Sequence, residues 1–279
     1  MRIFVTGGTG FIGSHFLKVA LEAGHEVLAV RRYETSHPAI PLPSEPTWIQ
    51  RDLNDLQSTD LSGCDVVVHL ASAGVSPKQA SWRELVQVNV VGSTHLIATA
   101  QTAGVDRVIV AGTCHEYGAS ASRYEAIPPD APLEPLSLYG ASKAAAFHLL
   151  CAYARTHRVK FCYGRIFTAY GEGQYHGNFW PSLRAAALRG VDFPMTTGLQ
   201  IRDFIPVEKV SSVLLARCDR TDIHVGQPRV ENIGSGRPQT LLAFAEQEWR
   251  RLGANGSLLP GSITSRHDEM ERIVSLVSQ

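Results

Sequence analysis

Through the first ~165 residues, short apolar runs alternate with helical patterns. IFV at positions 3–5 precedes the amphipathic stretch FIGSHFLKVALEAG, and EVLAV follows. DVVVHLA comes later, then a long helical pattern from about Trp82 to Ala103, then RVIVA. Repeated strand and helix predicts a parallel sheet covered on both faces, an α/β doubly wound arrangement. Gly24 and Gly104 stand where helices should stop, each shortly before a strand. HPAIPLPSEP and AIPPDAPLEP read as proline-rich loops too short to link domains. After Gly164 the order loosens, with glycines in GEGQYHGN and a helix near Pro181 to Arg189. This predicts a smaller lobe grafted onto the sheet, without internal repeats or low-complexity tracts.

Composition narrows the partners. A chain of 279 residues with 44% hydrophobic content can bury one large core. Lys plus Arg equals Asp plus Glu at 26 each, and no basic block stands out, so nucleic acid and anionic membrane surfaces are not expected partners. A small molecule is. The cysteines Cys64, Cys114, Cys151, Cys162 and Cys218 are odd in number, scattered and without a CxxC pair, which argues against a disulfide framework or a zinc ribbon. A reducing cytoplasm fits them. The chain starts directly on RIFVTG and contains no run of ~18 apolar residues, so neither secretion nor a membrane span is expected.

TGGTGFIG places Gly7, Gly10 and Gly13 three apart, directly after a strand and at the start of a helix. Glycines there permit a tight turn, close approach of backbone N–H groups to a pyrophosphate, and close helix–sheet packing, while the helix N-terminus favours the anion. No GK[ST] follows, so the pattern predicts a dinucleotide and not a mononucleotide P-loop. The second strand ends in Arg31 and Arg32 where an NAD site usually offers a carboxylate. Guanidinium groups can grip a 2′-phosphate, so NADP(H) is expected ahead of NAD(H), the plain alternative being two solvated arginines. Asp52 is a candidate for the adenine, or for a turn cap.

The strand RVIVA ends at a glycine and delivers Thr113, Cys114, His115 and Glu116 in a row. Cys114 and His115 are adjacent at a strand end, where side chains tend to point oppositely, so a nucleophilic pair is not expected. A metal site would need two more ligands, and none is expected. Further on, LSLYGASKAAAFHLLCAYARTH reads as a helix carrying Tyr139 and Lys143 four apart on one face. A nearby ammonium lowers a tyrosine pKa, and moving it from ~10 to ~7 takes roughly 4 kcal/mol, feasible in a partly desolvated site beside an oxidised nicotinamide.

TGGTGFIG, DVVVHLA, the asparagine in VNVVGS, a hydroxyl residue four before Tyr-Gly, YGASK and RDFIPVEKV span nearly the whole chain. Together they resemble the extended short-chain dehydrogenases/reductases that act on nucleotide sugars. The resemblance implies a modified Rossmann fold with a small C-terminal substrate lobe. Residues 1–165 would form the NADP(H)-binding domain, with 203–230 returning to it, and 166–202 and 231–279 the lobe for a nucleotide-diphosphate sugar. It implies that Thr113 hydrogen-bonds the reacting sugar oxygen, that Tyr139 transfers the proton, and that Lys143 binds the nicotinamide ribose and tunes the tyrosine. The cofactor set becomes Gly7, Gly10, Phe11, Ile12, Gly13, Arg31, Arg32, Asp52, Leu53, Leu70, Ala71 and Lys143.

On the substrate side the resemblance implies Arg202 and Arg266 at the diphosphate and Glu269 at the nucleotide ribose. Asn178, at a helix start, either faces the substrate or caps the helix. Thr168 stands where an asparagine is common. Dehydratases of this kind carry Asp-Glu, or at least Glu, where this chain has Cys114 and His115, so 4,6-dehydration is not expected. His115 becomes a candidate substrate contact, and Glu116, one place later, a structural residue. The chain ends at Gln279 without the terminal strand and helix of such proteins, so part of the lobe is expected to be trimmed. A homodimer is implied through the Trp82 and Tyr139 helices. The expected activity is NADPH-dependent reduction of a keto group on a nucleotide-activated 4-keto-6-deoxysugar. An NAD-dependent nucleotide-sugar epimerase and a non-catalytic NADP-sensing protein are the alternatives.

Overall fold

The computed structural model describes residues 1–75, 80–264 and 270–277. Its strands are β1 (Arg2–Thr6), β2 (Glu26–Arg31), β3 (Thr47–Gln50), β4 (Val66–His69), β5 (Arg107–Thr113), β6 (Lys160–Ile166), β7 (Thr168–Tyr170), β8 (Phe193–Met195), β9 (Ile201–Pro206), β10 (Arg229–Ile233), β11 (Pro238–Thr240), β12 (Leu258–Pro260) and β13 (Arg272–Ile273). The α-helices are α1 (Phe11–Glu22), α2 (Trp82–Leu85), α3 (Ser93–Thr102), α4 (Leu138–Thr156), α5 (Phe179–Arg189), α6 (Val207–Arg217) and α7 (Leu241–Arg251).

Seven strands form one parallel sheet in the order β10-β6-β5-β4-β1-β2-β3. Successive strand residues point to opposite faces. Phe4, Val67, Val108, Val110 and Phe161 accordingly pack under Leu96, Ile97, Ala146 and Leu150 of α3 and α4. Ile3, Val5, Val66, Val68 and Ile109 pack under Phe16, Leu17, Val210 and Leu214 of α1 and α6. Both faces are covered, which is why the strands read as continuous apolar runs. The strand order reverses between β1 and β4, so the crevice for a ligand opens at their carboxyl ends.

The helical pattern from Trp82 to Ala103 is not one regular helix. Between α2 and α3 the segment Val86–Gly92 is π-helical. At its centre Asn89 is fully buried and bonds outside its own helix: Oδ1 accepts from Ala73 N–H and Ser72 Oγ, and Nδ2 donates to Ala73 O and Ser142 Oγ. A widened turn is a common way to aim one side chain inward at a site.

After β9 the chain returns to the large sheet, since α6 packs beside α1 and β10 pairs with β6. A smaller sheet joins β11, β9 and β13, with β7 also on β9. Parallel β8 and β12 lie beside the packed pair α5 and α7, around Leu183, Met195, Ala245 and Trp249. Among the described residues no helix is long and apolar enough to cross a membrane.

Asp203 fastens the C-terminal segment to this assembly. The fully buried carboxylate accepts from Ser235 N–H and Oγ at 2.6 Å each, Gly236 N–H at 3.0 Å, Ser275 N–H at 3.1 Å, and the Ser275 hydroxyl. Asp203→Ala strands several buried donors, each worth about 1–3 kcal/mol. A loss of roughly 3 kcal/mol or more in unfolding free energy is expected, measured by urea titration.

Candidate active site

The end of β5 and the first turn of α4 meet over the sheet. Thr113 ends β5 and caps the short turn Cys114–Glu116, with its Oγ1 accepting from His115 N–H at 3.3 Å. Ser137 caps α4 by accepting from Gly140 N–H. In the first turn of that helix Tyr139 places its hydroxyl in hydrogen-bonding reach of Thr113 and Ser72. Lys143 is buried and donates from Nζ to Ala111 O at 2.8 Å. In the chain alone the tyrosine pKa moves the other way. Burial pushes the hydroxyl upward, and the bonds to Thr113 and Ser72 offset only part of this. Burial pulls Lys143 down, against the negative charge of Glu116.

Cys114 and His115 go to different surroundings. The thiol packs among Tyr117, Ala121, Ile127, Phe167 and Ile273, and burial pushes its pKa up to about 12, so it stays neutral. The His115 ring lies edge-on to Tyr139, with centroids 6.1 Å apart. Burial first, and then the charge of Arg202, lower its pKa. Thr113, His115, Tyr139 and Arg202 thus converge on one region. Glu116 is fully buried and turned away into an ion pair with Arg165 at 2.7 Å. Arg165 and Ser72 carry no motif, and their place in the site was not read from the sequence.

A second polar network lies under β1 and β4. His69 Nδ1 is 2.6 Å from Thr6 Oγ1, and Nε2 is 2.8 Å from Ser93 Oγ. Ser93 spends its proton on Asn89 O, so Nε2 carries the imidazole hydrogen and Nδ1 accepts from Thr6. That is the neutral ring, and burial followed by the Lys143 charge lowers its pKa to about 3.

The glycine turn borders the crevice. Gly7 has φ +75°, and a Cβ there would lie 2.5 Å from Ala71 N. At Gly13 it would lie 1.9 Å from Gly7 O, whereas at Gly10 the nearest atom is Gly7 O at 3.3 Å. Gly7 and Gly13 therefore permit close packing, and Gly10 keeps the space above the turn clear. No side chain caps α1 and its first turn holds no acid, so the N–H groups at Phe11, Ile12 and Gly13 face no competing carboxylate. Leu70 and Ala71 follow β4 at the crevice floor. At the end of β2 the Arg31 guanidinium stands 5.1 Å over the Trp48 ring, and its Nε is buried without a hydrogen-bond partner. Arg32 is exposed. Asp52 caps the turn beginning at the buried Leu53, accepting from Asn54 N–H at 3.0 Å, and this bond and Arg32 lower its pKa. An open glycine turn, an uncapped helix and an orphaned guanidinium nitrogen fit a dinucleotide.

On the lobe side, Asn178 precedes α5 without making a side-chain capping bond. Arg202 on β9 donates from Nη1 to Ile201 O at 3.0 Å. Thr168 begins β7, while Arg266 and Glu269 lie outside the described residues. No cluster of potential metal ligands occurs among the described residues.

Residues 3–234 match the NAD dependent epimerase/dehydratase family. A UDP-glucose 4-epimerase of Corynebacterium glutamicum is 28% identical, over 85% of this chain and 76% of its own length. A dTDP-6-deoxy-L-talose 4-dehydrogenase (NAD(P)(+)) of Kitasatospora kifunensis is 31% identical, over 88% of this chain and 77% of its own. The solved structure of MoeE5 in complex with UDP-glucuronic acid and NAD has a TM-score of 0.83 and 31% identity, covering 99% of this chain and 90% of that one. dTDP-glucose 4,6-dehydratases are also among the similar proteins.

The His69 network generates a pH prediction. The fold keeps the ring neutral down to about pH 3, while the unfolded chain protonates it near the ordinary 6.5. The unfolded state therefore binds one more proton between those values, and stability present above pH 6.5 is lost as pH falls, by up to about 1.4 kcal/mol per unit. His69→Gln should flatten the slope of unfolding free energy between pH 6.5 and 5 by close to one proton, measured by urea titration at each pH.

Proposed function

The chain belongs to the NAD-dependent epimerase/dehydratase family, and within it we propose that it reduces a keto group on a nucleotide-activated 4-keto-6-deoxysugar with NADPH. The observation that carries this reading is the set of groups around Thr113: hydroxyls of Thr113 and Tyr139 in mutual reach, and no carboxylate at the two positions that follow. In this reading Thr113 holds the carbonyl oxygen and Tyr139 donates the proton to it. Because burial raises the Tyr139 pKa, the phenol is protonated at neutral pH, as a proton donor should be. Lys143 binds the nicotinamide ribose, and the cofactor, when bound, supplies hydride to the carbonyl carbon. His115 lies against Tyr139, where it contacts the sugar or its proton-transfer network.

Elimination of water needs a base at one carbon and an acid at the next. The family contains dehydratases, so membership alone does not exclude this step. The exclusion rests on this chain's residues: Cys114 is a thiol held neutral to about pH 12, His115 can serve one role at most, and Glu116 is occupied by Arg165. Arg202 with Arg266 serves the diphosphate, Glu269 the nucleotide ribose, and Asn178 the substrate end of α5. An NAD-dependent epimerase is the second reading, favoured by the relative with that activity and by the NAD held in MoeE5. A homodimer would cover the exposed Trp82, Val86, Leu138 and Leu149 on α2, the π-helical segment and α4.

The decisive experiment assays purified protein with NADPH against a panel of nucleotide-linked 4-keto-6-deoxysugars, and with NADP against nucleotide hexoses. NADPH consumption with a keto sugar is expected, and Tyr139→Phe should lower turnover by roughly 10²–10⁴-fold with cofactor binding kept. Loss of water from a nucleotide hexose at enzymatic rates would refute the exclusion.

Cofactor choice is tested separately. NADPH should bind at least about tenfold more tightly than NADH, about 1.4 kcal/mol, and Arg31→Asp should narrow the gap. Equal affinities, or NAD carried through purification, would favour the epimerase.

A further inference from the structure

Glu116 and Arg165 take no part in the steps above, yet they form a buried ion pair directly behind Thr113. Their side chains are 0% and 1% exposed, and burying two charges is costly unless each is fully paired. Here the pairing is extensive. Glu116 Oε2 accepts from Arg165 Nε at 2.7 Å, and Oε1 accepts from Thr113 N–H and the Tyr163 hydroxyl at 2.8 Å each. The guanidinium lies 4.3 Å over Phe147 and 4.9 Å over Tyr117, and its Nη1 donates to Pro129 O. Stability alone does not call for such a pair, since well-packed apolar residues can replace one at little cost.

What the pair does locally is fix the backbone at the end of β5. One carboxylate oxygen holds the amide of Thr113 itself. On the preceding residue, a Cβ at Gly112 would lie 2.2 Å from Tyr163 Cε1 and 2.8 Å from Glu116 Oε1, so the ring from β6 and the carboxylate from the turn after β5 close around the peptide. Arg165 sits opposite Gly112 in the register of β5 and β6. From this geometry we infer that Glu116, held in place by Arg165, is a positioning residue that holds the Thr113 hydroxyl toward Tyr139 and the reacting oxygen. The inference rests on the reading of Thr113 given above.

The test is the double variant Glu116→Gln/Arg165→Met, which leaves no lone buried charge, compared with Tyr163→Phe and Thr113→Val in ketone reduction. The double variant should lose about 10- to 100-fold in kcat, the scale of a small misplacement of a reacting group, with KM and NADPH Kd within about threefold of the parent. Tyr163→Phe, which keeps the ion pair and removes one donor, should show a smaller loss in kcat alone. Parental kcat in the folded double variant overturns the inference, as does a fall in NADPH affinity that matches the fall in kcat. If the double variant does not fold, unchanged kcat in Tyr163→Phe overturns it. Thr113→Val at the parental rate would instead refute the assignment of Thr113, independently of the pair.

Discussion

Water is kept from both faces of the central sheet, and most of the molecule's chemistry follows from that. Covered above by α3 and α4 and below by α1 and α6, the strands leave polar groups a way out only at their ends. The carboxyl ends of β1, β4 and β5 therefore collect the glycine turn, His69, and Thr113 with its neighbours. Polar side chains that stay inside are costly unless paired, and three beside the strand ends are fully engaged. His69 is bracketed by Thr6 and Ser93, Asn89 by Ser142 and the backbone at Ala73, and Glu116 by Arg165, Tyr163 and Thr113.

The same desolvation sets the direction of the titrations. It raises Tyr139 and Cys114 and lowers Lys143, His69 and His115, each toward its neutral form. One cause thus yields a protonated phenol beside a threonine hydroxyl and an inert thiol next to both. Arg165 goes against this trend, because Glu116 supplies its counter-charge in a cage of aromatic rings.

Relatives of this chain include an epimerase, a 4-dehydrogenase and dehydratases. A shared sheet and glycine turn cannot tell these apart, because they bind and orient without choosing the bond that changes. In the proposed reading the choice falls to a few positions after β5. Cys114 turns into an apolar cluster, His115 lies on Tyr139, and the nearest carboxylate is committed to the interior.

The alternation of strand and helix, the dinucleotide turn and the spacing of Tyr139 and Lys143 are properties of neighbouring residues, so the sequence alone was enough to read the doubly wound parallel sheet and to put those two side chains on one helical face. It did not reveal the π-helical segment at Asn89, whose distortion serves partners at Ala73 and Ser142. Nor did it reveal the Glu116–Arg165 pair, whose members are 49 residues apart. The upward shift of Tyr139 was hidden for the same reason: spacing suggests an ammonium nearby, but only the packed fold decides how much water is removed and that Lys143 donates to Ala111 O. Local periodicity is written in adjacent residues; burial and long-range pairing exist only once the chain has closed on itself.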